Sequence, residues 1–419
     1  MQGSAALHDL LTTDEMTRVV VADSDPALAS RIARFPAGRV RAVPLDARDD
    51  DAVRALMREA DVVVEALPGP FARRMGELAV ECGVHLVSSM YFRDPQETNP
   101  RVREAAEQAI AVMARVAKEK NLVILSEFGL DPGLDLMLGA EALRGFDEVR
   151  EFYAYGAGIP AANARNNPLA YKFSWSPMGV LRSYRRPARI IAGGEAVEID
   201  PTTIFEPRRI HQLDVPAIGA PLECFANGDA VHYAELFGLR GTVREMARYT
   251  GRLSGHSAFW DVMVKSGFLD TATVAVGDAR IVPMEFTAAL LATQPQFQYA
   301  QGEQDIAFIR VDVRGLKAGD GHRVVLDLVD HGDPATGFTA MQRTVGFTLA
   351  VGARLILEDK LLRRGLLTPL DVSYELVFPA LERYGIRVTR ADGAWAISSS
   401  AFGRSKLGAG DPRRISREP

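Results

Sequence analysis

The chain has 419 residues, of which 47% are apolar and 25% are charged, and its formal net charge is −5. These ordinary globular values predict two or three domains of ~150 residues each, and they exclude a disordered, collagen-like or disulfide-scaffold protein. No block of like charge indicates a nucleic-acid partner, no apolar run reaches the ~18 residues of a membrane span, and no secretion signal opens the chain. The two cysteines, Cys82 and Cys224, are far apart in the sequence, which fits a reducing cytoplasm.

Short apolar strands alternate with helical segments along residues 18–125. Residues 19–21 and 62–64 are runs of three valines, which favour strands. Continuous apolar strands between helices are typical of a parallel sheet covered on both faces, so the sequence predicts a doubly wound α/β fold. The predicted elements are strands at 18–22, 39–45, 61–66, 85–88 and 122–125, and helices at 26–35, 51–59, 71–82 and 100–120.

The pattern changes from Val149 onward. Strand-like segments at 189–199, 240–251, 305–313 and 322–328 are separated by turns such as Gly193-Gly194, which predicts a second, mainly antiparallel sheet. Helical character returns at 343–362 and at 371–384. The tail from residue 393 is rich in Ser, Gly, Arg and Pro, and we predict that it is partly disordered.

Part of a dinucleotide-binding fingerprint lies near the N-terminus. Gly3 opens a helix and Asp23 closes the next strand 20 residues later, which is the spacing between the fingerprint's helix-start glycine and its ribose-binding acid. A carboxylate at this position accepts both ribose hydroxyls and repels a 2′-phosphate. Asp23 therefore favours NAD over NADP.

The upstream half of this fingerprint, a first strand followed by G-x-G, does not precede Gly3 in the sequence. The amides at the helix start after such a loop hold the pyrophosphate. We therefore expect that the first Rossmann strand and the phosphate loop are lost, through a misassigned start codon or a real truncation. The alternative is that residues 1–11 are only an N-terminal helix on an unrelated α/β fold.

Several segments carry a family resemblance. Residues 127–135 match the pattern E-x-G-L-D-P-G-x-D, residues 171–181 match Y-K-F-S-W-S-x-x-G-V-L, and residues 222–238 are close to L-E-x-x-x-N-R-D…Y-x-E-x-Y-G. Shorter matches are Ala66-Leu67-Pro68, Arg248-Tyr249-x-Gly251 and Arg364-Gly365 before Pro369. With these motifs the chain resembles the saccharopine dehydrogenase family, which includes saccharopine reductase and lysine 6-dehydrogenase, from Gly3 to about Val388.

The resemblance implies a Rossmann domain at 1–132 that lacks its first strand, and an inserted α+β domain for substrate binding and dimerisation at 133–342. It further implies C-terminal helices at 343–392 that return to the Rossmann domain, followed by the tail at 393–419. The implied protein is a homodimer. The implied activity is NAD(P)-dependent oxidation of an amino-acid-derived amine to an imine, which water then hydrolyses.

The cofactor would bind beyond the carboxyl ends of the parallel strands, where the connecting loops lie. The fingerprint and the resemblance together make NAD the predicted cofactor. The cofactor-binding residues that they imply are Gly3, Asp23, Ser24, Asp46, Ala66, Leu67, Pro68, Ser88 and Ser89.

The resemblance implies Asp131 and Tyr91 as catalytic residues. Hydride can leave only from a neutral amine, so a group such as Asp131 must first remove the ammonium proton. The alternative is that Asp131 caps the helix starting near Pro132-Gly133. Tyr91 could donate to a substrate carboxylate or could be packing.

Further residues are implied as substrate contacts. Phe173 and Trp175 would form a wall beside the hydroxyl of Ser174, although core packing is the alternative for one of the two aromatics. Arg248 could bind a carboxylate through two hydrogen bonds, and the alternative is an exposed strand arginine. The full predicted set is Met90, Tyr91, Asp131, Gly156, Phe173, Ser174, Trp175, Asn227 and Arg248.

Two departures from the family pattern weaken the case for saccharopine itself. The N-R-D motif reads Asn227-Gly228-Asp229, and the loss of a charge-assisted contact costs about 1.5–3 kcal/mol. Gly156 stands where saccharopine reductase carries a cysteine near the substrate. Lysine, another diamino acid or an opine-like conjugate becomes a candidate substrate.

Other classes of protein receive less support. The seven histidines are scattered without the spacing of metal ligands, so we predict no metal site. Residues 251–255 read G-R-L-S-G, which is not the G-x-S-x-G of a serine hydrolase. The remaining alternative is a catalytically silent homologue that lacks a working phosphate loop and acts as a binding or scaffold dimer.

Overall fold

The computed structural model describes residues 2–13, 16–32, 35, 38–94, 97 and 99–396. These residues divide into two compact units. Unit 1 comprises Met1–Glu141, Gln301–Phe308 and Leu328–Thr389, and unit 2 comprises the rest of the chain. Most of the predicted disordered tail, residues 397–419, lies outside the described residues.

Helices and strands alternate through residues 2–143, as the apolar pattern predicts. The helices are α1 (Gln2–Leu10), α2 (Leu28–Ile32), α3 (Asp50–Met57), α4 (Gly69–Cys82), α5 (Pro100–Glu119) and α6 (Leu134–Leu143). The strands are β1 (Val19–Asp23), β2 (Val40–Pro44), β3 (Val62–Glu65), β4 (His85–Ser88) and β5 (Val123–Leu125).

Local sequence signals explain where these helices begin and end. The Asp49 side chain accepts a hydrogen bond from the amide of Ala52 and caps α3, and Asn99 caps α5 in the same way, with Pro100 in the first turn. Helix α4 ends at Gly83, whose φ of 76° is left-handed and therefore suits glycine.

The second half of the chain begins with the elements of unit 2. Its helices are α7 (Pro177–Tyr184), α8 (Ala230–Leu236), α9 (His256–Lys265) and α10 (Pro283–Thr293). Its strands up to residue 281 are β6 (Glu148–Pro160), β7 (Ala188–Ala192), β8 (Glu195–Ile199), β9 (His211–Leu213), β10 (Leu222–Ala226), β11 (Glu245–Leu253), β12 (Val274–Val276) and β13 (Ala279–Ile281).

The chain then continues through four strands and two helices. The strands are β14 (Asp305–Lys317), β15 (Asp320–His331), β16 (Gly365–Leu367) and β17 (Arg387–Ala394), and the helices are α11 (Ala340–Leu357) and α12 (Tyr374–Glu382).

Two parallel sheets form the strand layer of unit 1. A four-stranded sheet has the order β16-β5-β4-β3, and β1 pairs separately with β2. Among the described residues no strand pairs with both β1 and β3. The parallel strands with helices between them confirm the predicted α/β class.

The core of unit 1 lies where α3, α4 and α5 cover β3, β4 and β5. Leu78 of α4, Leu86 of β4 and Ile124 of β5 are fully buried, and Met113 of α5 packs into the same cluster. Burial of side chains of this size stabilises the fold by about 1.5–3 kcal/mol each. The apolar core therefore fixes the strands whose carboxyl ends carry the predicted site loops.

A nine-stranded mixed sheet is the main feature of unit 2. Its order is β17-β15-β14-β6-β11-β10-β9, and β7 pairs with both β8 and β11. Strands β6 and β11 run parallel, whereas β11 is antiparallel to β10 and β7 is antiparallel to β8.

Among the described residues no helix is both long enough and apolar enough to cross a membrane.

Candidate functional site

The loops that follow β3, β4 and β5 meet at the carboxyl edge of the parallel sheet in unit 1. The amide of Phe128 donates to the carbonyl oxygen of Ser88 at 2.8 Å, and the amide of Glu127 donates to that of Met90 at 3.2 Å. A Cβ on Gly129 would lie 3.1 Å from the Cβ of Ser89. The loops after β4 and β5, which carry predicted site residues, therefore lie against each other.

A buried acid that the sequence analysis missed joins the loops after β3 and β4. Glu65, the last residue of β3, is 3% exposed and pairs in register with Ser88 at the end of β4. Its Oε1 accepts the amide of Leu67 at 2.6 Å, and its Oε2 accepts the Ser88 hydroxyl. Burial raises the pKa of Glu65 from 4.5 to about 7, although these two hydrogen bonds act in the opposite direction.

The remaining cofactor-binding predictions for these loops fall at the same edge. Ala66 and Leu67 are half-buried and Pro68 is exposed, and α4 begins directly after Pro68. The Cε of Met90 reaches the first residue of α4, because a Cβ on Gly69 would lie 3.1 Å from it. Ser89 is half-buried.

Helix α1 begins next to this edge. A Cβ on Gly3 would lie 3.9 Å from the Cβ of Ala66. The helix packs closely on α11, where a Cβ on Gly346 would lie 2.6 Å from the carbonyl oxygen of Gln2, so glycine is required there. At its other end, the buried Asp9 accepts hydrogen bonds from Arg354 of α11 and from the Tyr384 hydroxyl.

Asp131 lies in the turn that joins β5 to α6, and its side chain is exposed. The turn contains a cis peptide bond between Asp131 and Pro132. The amide of Gly133 donates to the Oδ1 of Asp135 at 2.8 Å, so the buried Asp135 carboxylate supports the first turn of α6. Tyr91, in the loop after β4, is half-buried.

The residues predicted to bind the adenosine side of the cofactor lie after β1 and β2. Asp23 ends β1, and its Oδ1 accepts the amide of Asp25 at 3.0 Å, while Ser24 is exposed. Asp46 follows β2 and accepts two hydrogen bonds from the Nε and Nη2 of Arg48, which lowers the pKa of Asp46 to about 2. The loop after β2 thus carries a guanidinium as well as a carboxylate.

Unit 2 contains the other residues predicted to contact substrate. Phe173 is buried and packs edge-on against Tyr171 at 5.3 Å between ring centroids, so it is part of the aromatic core. Ser174 is buried beside it. Trp175 is half-buried, and its ring lies against Gly179 at the start of α7.

Arg248 is buried on β11, which contradicts the alternative of an exposed strand arginine. Its guanidinium lies 3.9 Å from the ring centroid of Tyr233, a cation–π contact. A Cβ on Gly228 would lie 2.8 Å from the Nη1 of Arg248. The guanidinium of Arg248 therefore occupies the space beside the turn in which the family's arginine is replaced by glycine.

The neighbours of Arg248 are ordered by hydrogen bonds. The amide of Asn227 donates to the carbonyl oxygen of Arg248 at 2.9 Å, and its side chain donates to the Thr250 hydroxyl at 2.6 Å. Gly156 on β6 pairs in register with Thr250 on β11. Asn227, Gly156 and Arg248 are thus brought to one region of the mixed sheet.

A second buried charge in unit 2 was also missed. Arg252 is 6% exposed and donates to the carbonyl oxygen of Gly251 and to the hydroxyls of Tyr171 and Tyr184, and no acid of the described residues forms an ion pair with it. The Tyr184 hydroxyl lies 2.8 Å from the Nε2 of His256. Burial, and then the charge of Arg252, hold the pKa of His256 well below its ordinary value, so this histidine is neutral.

The domain families that match this chain cover nearly all of it. Residues 1–124 match the saccharopine dehydrogenase NADP binding domain, and residues 129–386 match the saccharopine dehydrogenase C-terminal domain. The second match alone spans more than half of the chain.

Curated relatives and solved structures agree with this assignment. The alpha-aminoadipic semialdehyde synthase of Arabidopsis thaliana is 28% identical over 83% of this chain, but the chain spans only 38% of that relative's length. The saccharopine dehydrogenase [NADP(+), L-glutamate-forming] of Schizosaccharomyces pombe is 25% identical, over 83% of this chain and 88% of its own length. The apo saccharopine dehydrogenase (L-Glu forming) of Saccharomyces cerevisiae has the same fold, with a TM-score of 0.74 and 22% identity over 94% of this chain and 98% of its own.

The prediction of NAD as the cofactor is wrong. The matching N-terminal domain family is described as NADP binding, and the fungal relatives are named as NADP(+) enzymes. The prediction rested on the carboxylate of Asp23, whose Oδ1 accepts the amide of Asp25 in its own turn. The alternative of an unrelated α/β fold is likewise excluded, because the chain belongs to the saccharopine dehydrogenase family.

Proposed function

We propose that this chain catalyses NADP(H)-dependent hydride transfer at the C–N carbon of an amino-acid-derived amine. The observation that carries the proposal is the set of hydrogen bonds between the loops after β4 and β5, from Phe128 to Ser88 and from Glu127 to Met90. These contacts bring the loop of Ser89 and Tyr91 next to the loop of Asp131. Groups assigned to the cofactor and groups assigned to the amine therefore belong to adjacent loops.

The residues of unit 1 fit a dinucleotide. The carboxyl ends of parallel strands and the start of α1 at Gly3 lie together, and this is the edge at which such ligands bind in α/β sheets. Arg48 offers the positive charge that a 2′-phosphate needs. When bound, NADP+ accepts the hydride from the carbon that carries the nitrogen.

The protein's own groups would prepare the amine for this transfer. In the proposal, Asp131 takes the ammonium proton, and its exposure in the turn after β5 leaves it accessible to a ligand. Tyr91 donates to the substrate from the neighbouring loop. In unit 2, Arg248 stays a predicted contact of a carboxylate, and Gly228 beside it supplies no second guanidinium. We therefore propose that the preferred amine carries fewer carboxylates than saccharopine.

The proposal is tested by following NADPH absorbance while the purified chain is supplied with NADP+ and lysine, saccharopine, ornithine or related amines. We expect turnover with one of these amines, and a preference for NADP+ over NAD+. Absence of NADP+-dependent oxidation with every amine would refute the proposal. A homodimer and a cytoplasmic location stay predictions from the sequence.

Replacing Asp131 tests the assigned proton acceptor. We expect Asp131→Asn to lower kcat by about 100-fold or more, because general-base catalysis typically contributes at least that factor. The dissociation constant of NADPH should change by less than about threefold, because the proposed role of Asp131 lies with the amine. A matched control is Asp61→Asn, an exposed acid just before β3 at the opposite end of that strand. Equal kcat in Asp131→Asn and wild type would remove Asp131 from the mechanism.

A further inference from the structure

The side chain of Glu65, at the end of β3, contacts the loop after β3 and the end of the neighbouring strand β4. Both of its carboxyl oxygens accept hydrogen bonds, one from the Leu67 amide and one from the Ser88 hydroxyl. The Leu67 amide belongs to the loop after β3, and Ser88 begins the loop after β4. A single buried carboxyl therefore joins two of the loops at the carboxyl edge.

Ser88 extends this connection to the third loop. Its hydroxyl oxygen accepts the amide of Met90 at 3.1 Å, and its carbonyl oxygen accepts the amide of Phe128 at 2.8 Å. The carbonyl oxygen of Met90 in turn accepts the amide of Glu127 at 3.2 Å. The hydrogen bonds thus run from Glu65 through Ser88 and Met90 into the loop that carries Asp131.

No nearby cation compensates the carboxyl of Glu65 among the described residues. The elements packed against β3 are β4, α4 and α11, and Ala66 also contacts α1. On β4, His85 pairs in register with Val62 at the far end of the strand. The other charged groups of these elements have their own partners: Arg73 with Glu77, Arg74 with Asp50, Glu81 with Arg54, Arg343 with Asp330 and Arg354 with Asp9, while the ring of His8 packs on Phe338.

We propose that Glu65 is a positioning residue of the dinucleotide site, whose ionised carboxyl holds the loops after β3, β4 and β5 in their binding arrangement. This inference rests on the proposed function, because it assumes that the cofactor binds at this edge. A carboxylate accepts from both Leu67 and Ser88, as the structure has it. A protonated carboxyl no longer accepts both bonds: either its hydrogen faces the Leu67 amide, or the Ser88 hydroxyl must reverse and accept from Glu65 while it also accepts from the Met90 amide, and both changes weaken the connection.

The proton equilibrium of Glu65 lies near neutrality. Because burial raises its pKa to about 7, the carboxyl is mainly protonated at about pH 6 and mainly ionised at about pH 8.5. Ionisation should therefore strengthen cofactor binding across this interval. Glutamine has the shape of the protonated acid but cannot ionise, so Glu65→Gln removes this dependence.

The test compares NADPH dissociation constants of full-length wild type and Glu65→Gln, measured by fluorescence titration at about pH 6 and about pH 8.5. We expect similar values at the lower pH and about fivefold weaker binding by Glu65→Gln at the higher pH, which corresponds to somewhat less than one pKa unit of coupling. The 2′-phosphate of NADPH titrates in both proteins, so its contribution cancels in the ratio. Thr348→Val is a matched control, because it removes a buried hydroxyl of α11 that donates only to the carbonyl oxygen of Thr344.

The outcomes separate this inference from the proposed function. If wild type binds no NADPH at either pH, the proposed function fails. If wild type binds NADPH and the ratio of the two dissociation constants is the same at both pH values, the inference fails while the proposed function stands. The inference also fails if Thr348→Val changes the ratio of its NADPH dissociation constant to that of wild type between the two pH values as much as Glu65→Gln does. The loss of any buried polar group would then explain the pH dependence.

A second measurement needs no variant and keeps the inference testable if Glu65→Gln does not fold. Infrared difference spectra of wild type with and without NADPH, at about pH 7, report protonated carboxyl groups. We expect NADPH to reduce the signal of a protonated carboxyl, because binding selects the ionised form of Glu65. No change in this signal on saturation with NADPH would contradict the inference.

Discussion

Two buried carboxyls of unit 1 have opposite surroundings. Asp9 on α1 is fully buried, and it is ion-paired with Arg354 and accepts a hydrogen bond from the Tyr384 hydroxyl. Glu65 on β3 is almost as buried, but its described partners are a backbone amide and the hydroxyl of Ser88, neither of which carries a charge. One acid therefore has a counter-ion and the other has only dipoles.

The presence or absence of a counter-ion decides whether the contacts of a buried acid depend on pH. A buried acid beside a guanidinium is held in place by the attraction between opposite charges, and removal of one partner leaves a buried charge unpaired. An acid without a cation can instead be neutralised by taking a proton, at the cost of its hydrogen-bond pattern. Asp9 thus anchors α1 to α11, whereas Glu65 can exchange a proton at the edge where the cofactor is proposed to bind.

The largest effect that this comparison predicts is for Asp9→Asn. The substitution leaves the Arg354 guanidinium buried without a carboxylate, so we expect the free energy of unfolding to fall by about 3–5 kcal/mol. Urea denaturation at about pH 7 measures the loss. In the double variant Asp9→Leu/Arg354→Met neither charge is left buried, so it should lose less than Asp9→Asn alone. If Asp9→Asn is as stable as wild type, the ion pair is not what anchors α1.

A pH series of stability sharpens the comparison for Glu65. Its pKa of about 7 in the folded protein exceeds the 4.5 of an exposed glutamate, so its contribution is present below about pH 4.5 and is lost as the pH rises to 7. The gap between the two values corresponds to about 3 kcal/mol. Relative to Glu65→Gln, wild type should therefore lose about that much free energy of unfolding between about pH 5 and about pH 8. A difference between the two proteins that stays constant over this range would show that Glu65 does not titrate as described.

Much of the parallel sheet could be predicted because its signals are local. The valine runs at 19–21 and 62–64 became β1 and β3, because consecutive β-branched residues favour strands. Strand β6 (Glu148–Pro160) was not predicted. Its sequence has no regular alternation, and its partner β11 begins only at Glu245, so nothing local specifies the pairing.

The candidate site was less predictable than the fold. The loops of Ala66 and Asp131 could be named because their motifs resemble the family, and the loop of Ser88 because it follows the next strand, but no motif contains Glu65. Its only signal is an acid directly after three valines, at the carboxyl end of a strand whose valines are half-buried while Glu65 itself is buried. The choice of NAD rested on the carboxylate of Asp23 alone, whereas the matching domain family and the fungal relatives indicate NADP.

The smallest effect on the free energy of unfolding that we predict is for Ser88→Ala. This substitution removes the contact of Glu65 with the Ser88 hydroxyl and leaves its contact with the Leu67 amide. The Ser88 hydroxyl donates to the carboxylate and lowers its pKa, so its removal should move the pH at which wild type loses stability to above 7. The cost should be about 1.5 kcal/mol at about pH 8, where the carboxylate loses a donor, and less at about pH 5, where the neutral acid needs that donor less. Equal losses at both pH values would mean that Ser88 supports only the amide of Met90. Glu65 would then hold only the loop after β3, through the Leu67 amide, and its hydrogen bonds would not extend to the loop after β5. It would still differ from Asp9, because Asp9 has a counter-ion and Glu65 has none among its described partners.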